Sequence, residues 1–359
     1  MKALVTNRFL FTRLANIAVK SSLGGVGGRV QEVPIPTITP DEILVKVNAV
    51  ALNPTDFKHL DIISPPNCIV GCDYAGVVEK VGDPASTKWK VGDRVAGAVH
   101  GGLYRDKGAF AEFLKVDADL AWKVPDSMND TDATTYGVSA VTAMLDLNVR
   151  HGIPFVDGKT AIQRDEAIFI YAGSTSAGLF HIQLAKAAGY TVVTTASPRS
   201  FSLVKTYGAD AVYDYSSATV AEDIAKDYPN ISKAVDCFSE GKSTSICAEV
   251  IKNKGGKVVV LLPNGKSKLP NVTYDLVMSY TALGHPFQWL PPIGPKFEAQ
   301  PADREALVRF YKTLPQLTHI LKPIPTTEQN TGFEGIMEGL DKLRSGQVSG
   351  GKLVVRMNG

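Results

Sequence analysis

A run of small residues, Gly173-Ser174-Thr175-Ser176-Ala177-Gly178, separates the apolar stretch 167–172 from a segment in which Leu179, Ile182, Leu184 and Ala185 recur at helical spacing. Strand, tight turn and helix in that order bring backbone close to a diphosphate. The unpaired N–H groups and the positive dipole end of the helix favour its charge. The turn departs from the strict G-x-G-x-x-G pattern, so the end of the next apolar strand, 191–195, carries more weight. An NAD site places an acidic residue about 20 residues on, to hold the ribose hydroxyls. This chain has Ser197, Arg199 and Ser200 there instead. A guanidinium flanked by hydroxyls suits a 2′-phosphate, which points to NADPH. An ordinary β-α turn and a surface arginine are the bland alternatives, and the missing acid argues against them.

Other chemistry-bearing residues are sparse. The six histidines are scattered, and His59 and His285 fall near the expected cleft, where either is a candidate proton relay. Four cysteines, Cys68, Cys72, Cys237 and Cys247, are too few for a disulfide framework in 359 residues, which suits a reduced cytoplasmic enzyme. No nucleophile elbow, Walker loop or paired-carboxylate signal is present. Lys and Arg total 38 against 36 Asp and Glu, so the net charge of +2 gives no electrostatic case for nucleic acid or a membrane surface. No apolar run is long enough to span a bilayer. The start, MKALVTNRFLFTRLANIAVK, is basic enough to raise a transit peptide, but 1–6 reads better as a first strand.

The elements that must position these residues fall into two patterns. Residues 1–130 are rich in short strands and glycine-marked turns, as in a small barrel; DEILVKVNAVALN alternates, with Ile43, Val45 and Val47 on one face. A helix is expected over 131–149, then a surface loop at 151–166. From 167 to 262 strands and helices alternate, which implies a parallel sheet covered by helices on both faces. The segment 271–283 reads as a further strand or helix, 287–297 as irregular and Pro-rich, and 302–317 as helix. The tail reads as strand, helix, strand.

Taken together, Asn53-Pro54-Thr55-Asp56, the stretch GCDYAGVVEKVG at 71–82 and Val91-Gly92-Asp93-Arg94-Val95 resemble the medium-chain dehydrogenase/reductase superfamily, in its quinone-reductase-like branch. NPTDFK at 53–58, AGSTSA at 172–177, ASPRS at 196–200, Tyr215 and the ending SGGKLVVR are most similar to the trans-acting enoyl reductases of fungal polyketide biosynthesis. The resemblance implies an α/β fold in which a GroES-like β-barrel catalytic domain, 1–136 and 319–359, carries an inserted Rossmann doubly wound parallel sheet, 137–318. The zinc branch of the superfamily carries a Cys and a His-Glu pair in the segments where this chain has Thr55 and Cys72-Asp73, so no metal is expected.

The resemblance also assigns roles. Lys58 would lie beside the nicotinamide and the substrate carbonyl, steadying a developing enolate. Ser139 and Thr142 are substitutes for the hydroxyl that related enzymes carry where this chain has Ala140. Thr55, Asp56, Lys58, Ser174, Thr175, Ser176, Ala177, Ser197, Arg199, Ser200, Tyr215, Leu261, Leu262, Val348 and Ser349 would line the NADPH site, and Ala140, Ala282 and Leu283 the substrate. The implied reaction is NADPH-dependent, zinc-independent reduction of an α,β-unsaturated thioester or ketone, with a carrier-bound or free substrate and a polyketide synthase as partner. Three alternatives stay open: a quinone or enone reductase on free small molecules, a non-redox double-bond isomerase, and a cofactor-binding protein without turnover.

Overall fold

The computed structural model describes every residue except 20, 21, 24, 26, 84–87, 159–162, 358 and 359. A parallel sheet and a mostly antiparallel barrel-like sheet make up its two halves. In the first, strands Ala167–Tyr171, Thr191–Ala196, Ala211–Asp214, Lys233–Asp236, Gly256–Val260 and Val272–Leu276 are all parallel. Numbered along the chain, they lie in the order 3-2-1-4-5-6. That order reverses direction beside the first strand, and open α/β sheets bind ligands at the strand ends over such a switch point.

The second half is a seven-stranded sheet. Strand Glu42–Ala51 is its centre, paired with Asp73–Val81 on one side and with Phe113–Asp117 and Lys352–Arg356 on the other. The alternation in its sequence predicts a half-buried strand, yet Leu44 and Val50 are as buried as Ile43, Val45 and Val47. Helix Gly332–Arg344 contributes to this burial, since its Ile336 and Leu340 join Val50, Leu52 and Leu353 in one core. Strands Thr326–Glu328 and Lys352–Arg356 return the end of the chain to this sheet.

Several expectations shift in detail. The helix over 131–149 is broken into Asp130–Ala133, a 3₁₀ turn Thr134–Tyr136, and Val138–Met144 running on through Leu145–Arg150. The break falls at Gly137, where a Cβ would stand 2.2 Å from an Asp73 carboxylate oxygen. The segment 271–283 is both strand and helix: Val272–Leu276, then a 3₁₀ turn Ser279–Leu283. The Pro-rich stretch contains a short antiparallel pair, Phe287–Gln288 with Lys296–Phe297, and folds back on the barrel half, where Leu290 N–H donates to Ile63 O. The loop at 151–166 lacks strand or helix over its described residues, with 159–162 outside them. Beyond the strand Lys2–Thr6, the helix Leu10–Val19 and the strand Gly28–Glu32 are additions to the sequence reading.

Candidate active site

The dinucleotide end is built by the first strand and helix of the parallel sheet. Ala172 leaves the strand at φ 59°, and helix Ser176–Ala187 begins under a Thr175 cap whose Oγ1 accepts the Gly178 N–H at 3.0 Å. A Cβ on Gly173 would lie 2.1 Å from Thr194 Oγ1, so glycine there keeps the turn flat against the neighbouring strand. Ser174, Thr175, Ser176 and Ala177 are all half-buried at the helix N-terminus. Behind them His181 and Asp146 form a fully buried pair at 2.9 Å; burial alone would lower the imidazole pKa, but Cys237 and Asp146 together hold it well above its ordinary value.

The next strand delivers Ser197, Arg199 and Ser200. Ser197 and Ser200 share a hydroxyl contact at 3.2 Å, and exposed Arg199 reaches Ser349 Oγ at 3.5 Å. Ser176 Oγ in turn donates to Gly351 O at 3.1 Å. The segment around Ser349 thus borders both the turn and the arginine, and Val348 packs partly into the barrel core. Tyr215 is 49% exposed beside this edge. Leu261 and Leu262 are half-buried, with Leu261 N–H donating to Ser239 Oγ at 2.8 Å. A flat glycine turn, the N-terminal end of a helix and an exposed guanidinium beside the Ser349 hydroxyl fit a nicotinamide dinucleotide.

The reaction end is assembled from distant segments. Helix Pro54–Lys58 starts at Asn53, whose N–H donates to Asp56 Oδ2 at 2.7 Å. Lys58 ends the helix with its side chain 36% exposed and its ammonium 3.9 Å from Glu240, which belongs to the parallel-sheet half. Inward of it lie two polar clusters. In one, the Lys352 ammonium pairs with Asp73 and donates to Asn53 Oδ1 at 2.8 Å and Ser139 Oγ at 3.3 Å. Asp73 also accepts Asn53 Nδ2 at 3.0 Å and the Val138 N–H at 2.7 Å. Gly137 leaves room for this carboxylate over the helix start. In the other, Tyr280 Oη meets Thr55 Oγ1 at 2.8 Å, Cys72 Sγ at 3.3 Å and His59 Nε2 at 3.4 Å.

Burial sets the protonation of these groups. It pushes the Asp56 carboxyl up to about 7, helped by the nearby Asp73 charge. It holds His59 down at about 3, keeping the imidazole neutral, and raises the Cys72 thiol and the Tyr280 phenol well above their ordinary ranges.

The remaining candidates are placed less openly. The Ser139 hydroxyl is buried in the Lys352 cluster, and the Thr142 hydroxyl donates to Val138 O at 2.7 Å within its own helix. Ala140 and Ala282 are fully buried in the core, whereas Leu283 lines a small cavity of about 30 Å³ with His100, Tyr280 and His285. This opens towards a charged cleft of about 650 Å³ that shares Lys107, Asp117 and His285.

Family models match the chain as an alcohol dehydrogenase GroES-like domain over residues 39–126 and as a zinc-binding dehydrogenase over 177–283. The trans-enoyl reductase resD of Aspergillus sclerotiorum is 35% identical, covering 95% of this chain and 99% of its own. The trans-enoyl reductase ACTTS2 of Alternaria alternata is 36% identical over 92% and 96%. The chain belongs to the medium-chain dehydrogenase/reductase superfamily. The superfamily fold is matched by a mycobacterial structure complexed with NADPH, with TM-score 0.73, 19% identity and 99% coverage of both chains. CurK enoyl reductase gives TM-score 0.72 and 21% identity, over 99% of this chain and all of that one.

The zinc in the name of that second family model does not fit these residues. Asp73 is already neutralised by Lys352, whose ammonium would repel a cation, and burial disfavours the thiolate form of Cys72 that a metal needs. Among the described residues no group of three or more His, Cys, Asp or Glu side chains is placed to hold a metal. Sequence reasoning singled out Thr55, Asp56 and Lys58 but missed Asn53, Asp73 and Lys352 as a unit, and missed Tyr280. Asn53 and Asp73 stand inside the motifs that carry the superfamily resemblance, and Lys352 inside the ending that resembles the enoyl reductases, which was the available signal.

Proposed function

We propose that the protein is an NADPH-dependent enoyl reductase that works without zinc on an α,β-unsaturated thioester, held on a carrier protein of a separate polyketide synthase. The observation that carries this reading is Lys58, a half-exposed side chain at the lip of a buried polar wall, held among the described residues by no more than a 3.9 Å contact to Glu240. Bound NADPH supplies the hydride for the β-carbon. The chain's own residues do the rest. Arg199, Ser197 and Ser349 hold the 2′-phosphate, and the 173–178 turn takes the diphosphate. Reduction moves charge onto the thioester oxygen, and an ammonium already in place stabilises it once bound cofactor and substrate exclude water from around it. Lys58 fits this task better than Ser139 or Thr142, whose hydroxyls are committed elsewhere.

The test is NADPH oxidation by the purified protein with enoyl thioesters on carrier protein and on a free pantetheine analogue. Turnover with both thioesters that falls in Lys58→Ala supports the reading, and the absence of turnover on any enoyl thioester overturns it. Equal rates with free quinones or enones would instead favour a general reductase.

A further inference from the structure

Tyr280 is a buried phenol with more hydrogen-bonding neighbours than one hydroxyl needs. It leaves the 3₁₀ turn Ser279–Leu283, lies stacked on His100 with ring centroids 3.7 Å apart, and points its Oη between Thr55, Cys72 and His59. His59 Nδ1 meets Ser64 Oγ at 2.8 Å. A neutral imidazole carries one N–H. With Ser64 donating to Nδ1, the Nε2–H points at Tyr280, whose own proton is then free to go forward to Thr55. Thr55 is half-buried on the short helix that ends in Lys58, whereas Tyr280 and His59 are buried, so Thr55 is the member of the three that opens towards solvent. We propose that Thr55, Tyr280 and His59 form the proton relay of the reaction, with the Thr55 hydroxyl delivering the proton to the substrate α-carbon and Tyr280 replacing it.

The inference rests on the enoyl-reductase reading. Once the β-carbon has been reduced, the substrate is an enolate that needs one proton. The Thr55 O–H bond breaks as the Cα–H bond forms, and the Tyr280 proton passes to Thr55 Oγ1. The phenolate accepts from His59 Nε2–H until product leaves and water returns a proton through Thr55. A thioester enolate is a far stronger base than a phenolate, so the transfer runs downhill. Burial keeps Tyr280 in its protonated, donating form until then. Lys58 and the relay leave the same short helix, so the oxygen and the α-carbon of one enolate are served by residues three apart in sequence.

The experiment compares wild type with Tyr280→Phe, Thr55→Val, Thr55→Ser and the Tyr280→Phe/Thr55→Val double variant, using a 2-methyl enoyl thioester in D₂O. Tyr280→Phe keeps the ring that stacks on His100. The expected result is NADPH affinity and melting temperature near wild type, with kcat lowered by roughly 10²-fold. Deuterium arrives on both faces of the α-carbon instead of one. Thr55→Val is expected to match Tyr280→Phe in kcat and in loss of single-face delivery, Thr55→Ser to recover most of the rate and the single-face delivery, and the double variant to be no worse than either single. Wild-type rate with single-face deuteration in Tyr280→Phe overturns the relay. So does a Thr55→Ser no better than Thr55→Val, which decides the matter if Tyr280→Phe does not fold. A wild-type protein inactive on every enoyl thioester sinks the functional reading itself, whereas an active wild type with unaffected variants sinks the relay alone.

Discussion

The two ends of the crevice are made in opposite ways. The dinucleotide end is half-exposed and local, because the turn at 173–178 and the Ser197-Arg199-Ser200 group follow consecutive strands of one sheet. The reaction end is buried and assembled across the chain, since Lys352 meets Asp73 from 279 residues away and Tyr280 meets Thr55 from 225. Exposed groups waiting for a ligand contribute little to stability while free. Buried ones must be mutually satisfied before any ligand arrives. Substitutions at the first end are therefore expected to change binding, and at the second to change folding or chemistry.

The sharpest break should come at Lys352. Lys352→Met leaves Asp73 buried without its partner, and urea unfolding is expected to show a loss of about 3–5 kcal/mol. Adding Asp73→Asn should return part of it, and a stable single variant would mean that the cluster is not a paired unit. Lys58→Ala is next: kcat/KM falls by about 10²–10³-fold, while stability stays within about 0.5 kcal/mol because its ion pair is exposed and long. At the other end, Arg199→Ala is expected to weaken NADPH binding by about 10–100-fold, the range of a lost charge-assisted contact, and to leave NADH binding unchanged. Isothermal titration with both cofactors checks it, and an equal loss for NADH would remove the 2′-phosphate assignment.

The last effect concerns pH and is spread over several units. The folded Asp56 carboxyl titrates at about 7 against about 3.9 when unfolded, so the native state holds a proton that the unfolded chain has lost. Its contribution to stability is complete below about pH 4 and declines as pH rises to about 7, by at most about 1.4 kcal/mol per pH unit. Asp56→Asn lacks this titration, so unfolding curves should show the variant gaining on wild type across that window. A constant difference would place Asp56 outside the buried, coupled region.

The same contrast explains what could be read from sequence. The first five parallel strands and the cofactor turn were legible because each is an apolar run or a run of small residues read within about 20 positions. Asn53, Asp73 and Lys352 stood in view, but nothing local says that an ammonium from the last strand lies between an amide and a carboxylate. Tyr280 was hidden for a similar reason, in a segment whose periodicity fits strand and helix alike. The helix Leu10–Val19 escaped because its pattern is inverted. Arg13 and Asn16 are buried, donating to Ile63 O at 3.2 Å and Asp61 O at 2.8 Å, while Phe11 is 84% and Ile17 44% exposed. Ordinary amphipathic logic assigns those faces the other way round.

The short stretch from Ser349 to Lys352 touches Arg199, the Ser176 turn and Asp73 in turn. A protease nick just before it would cut the final strand loose from its helix, and a single scission at the edge of the molecule would disable cofactor capture and the catalytic wall together. During synthesis on the ribosome, neither pocket wall can be finished until residues 349–352 emerge from the exit tunnel.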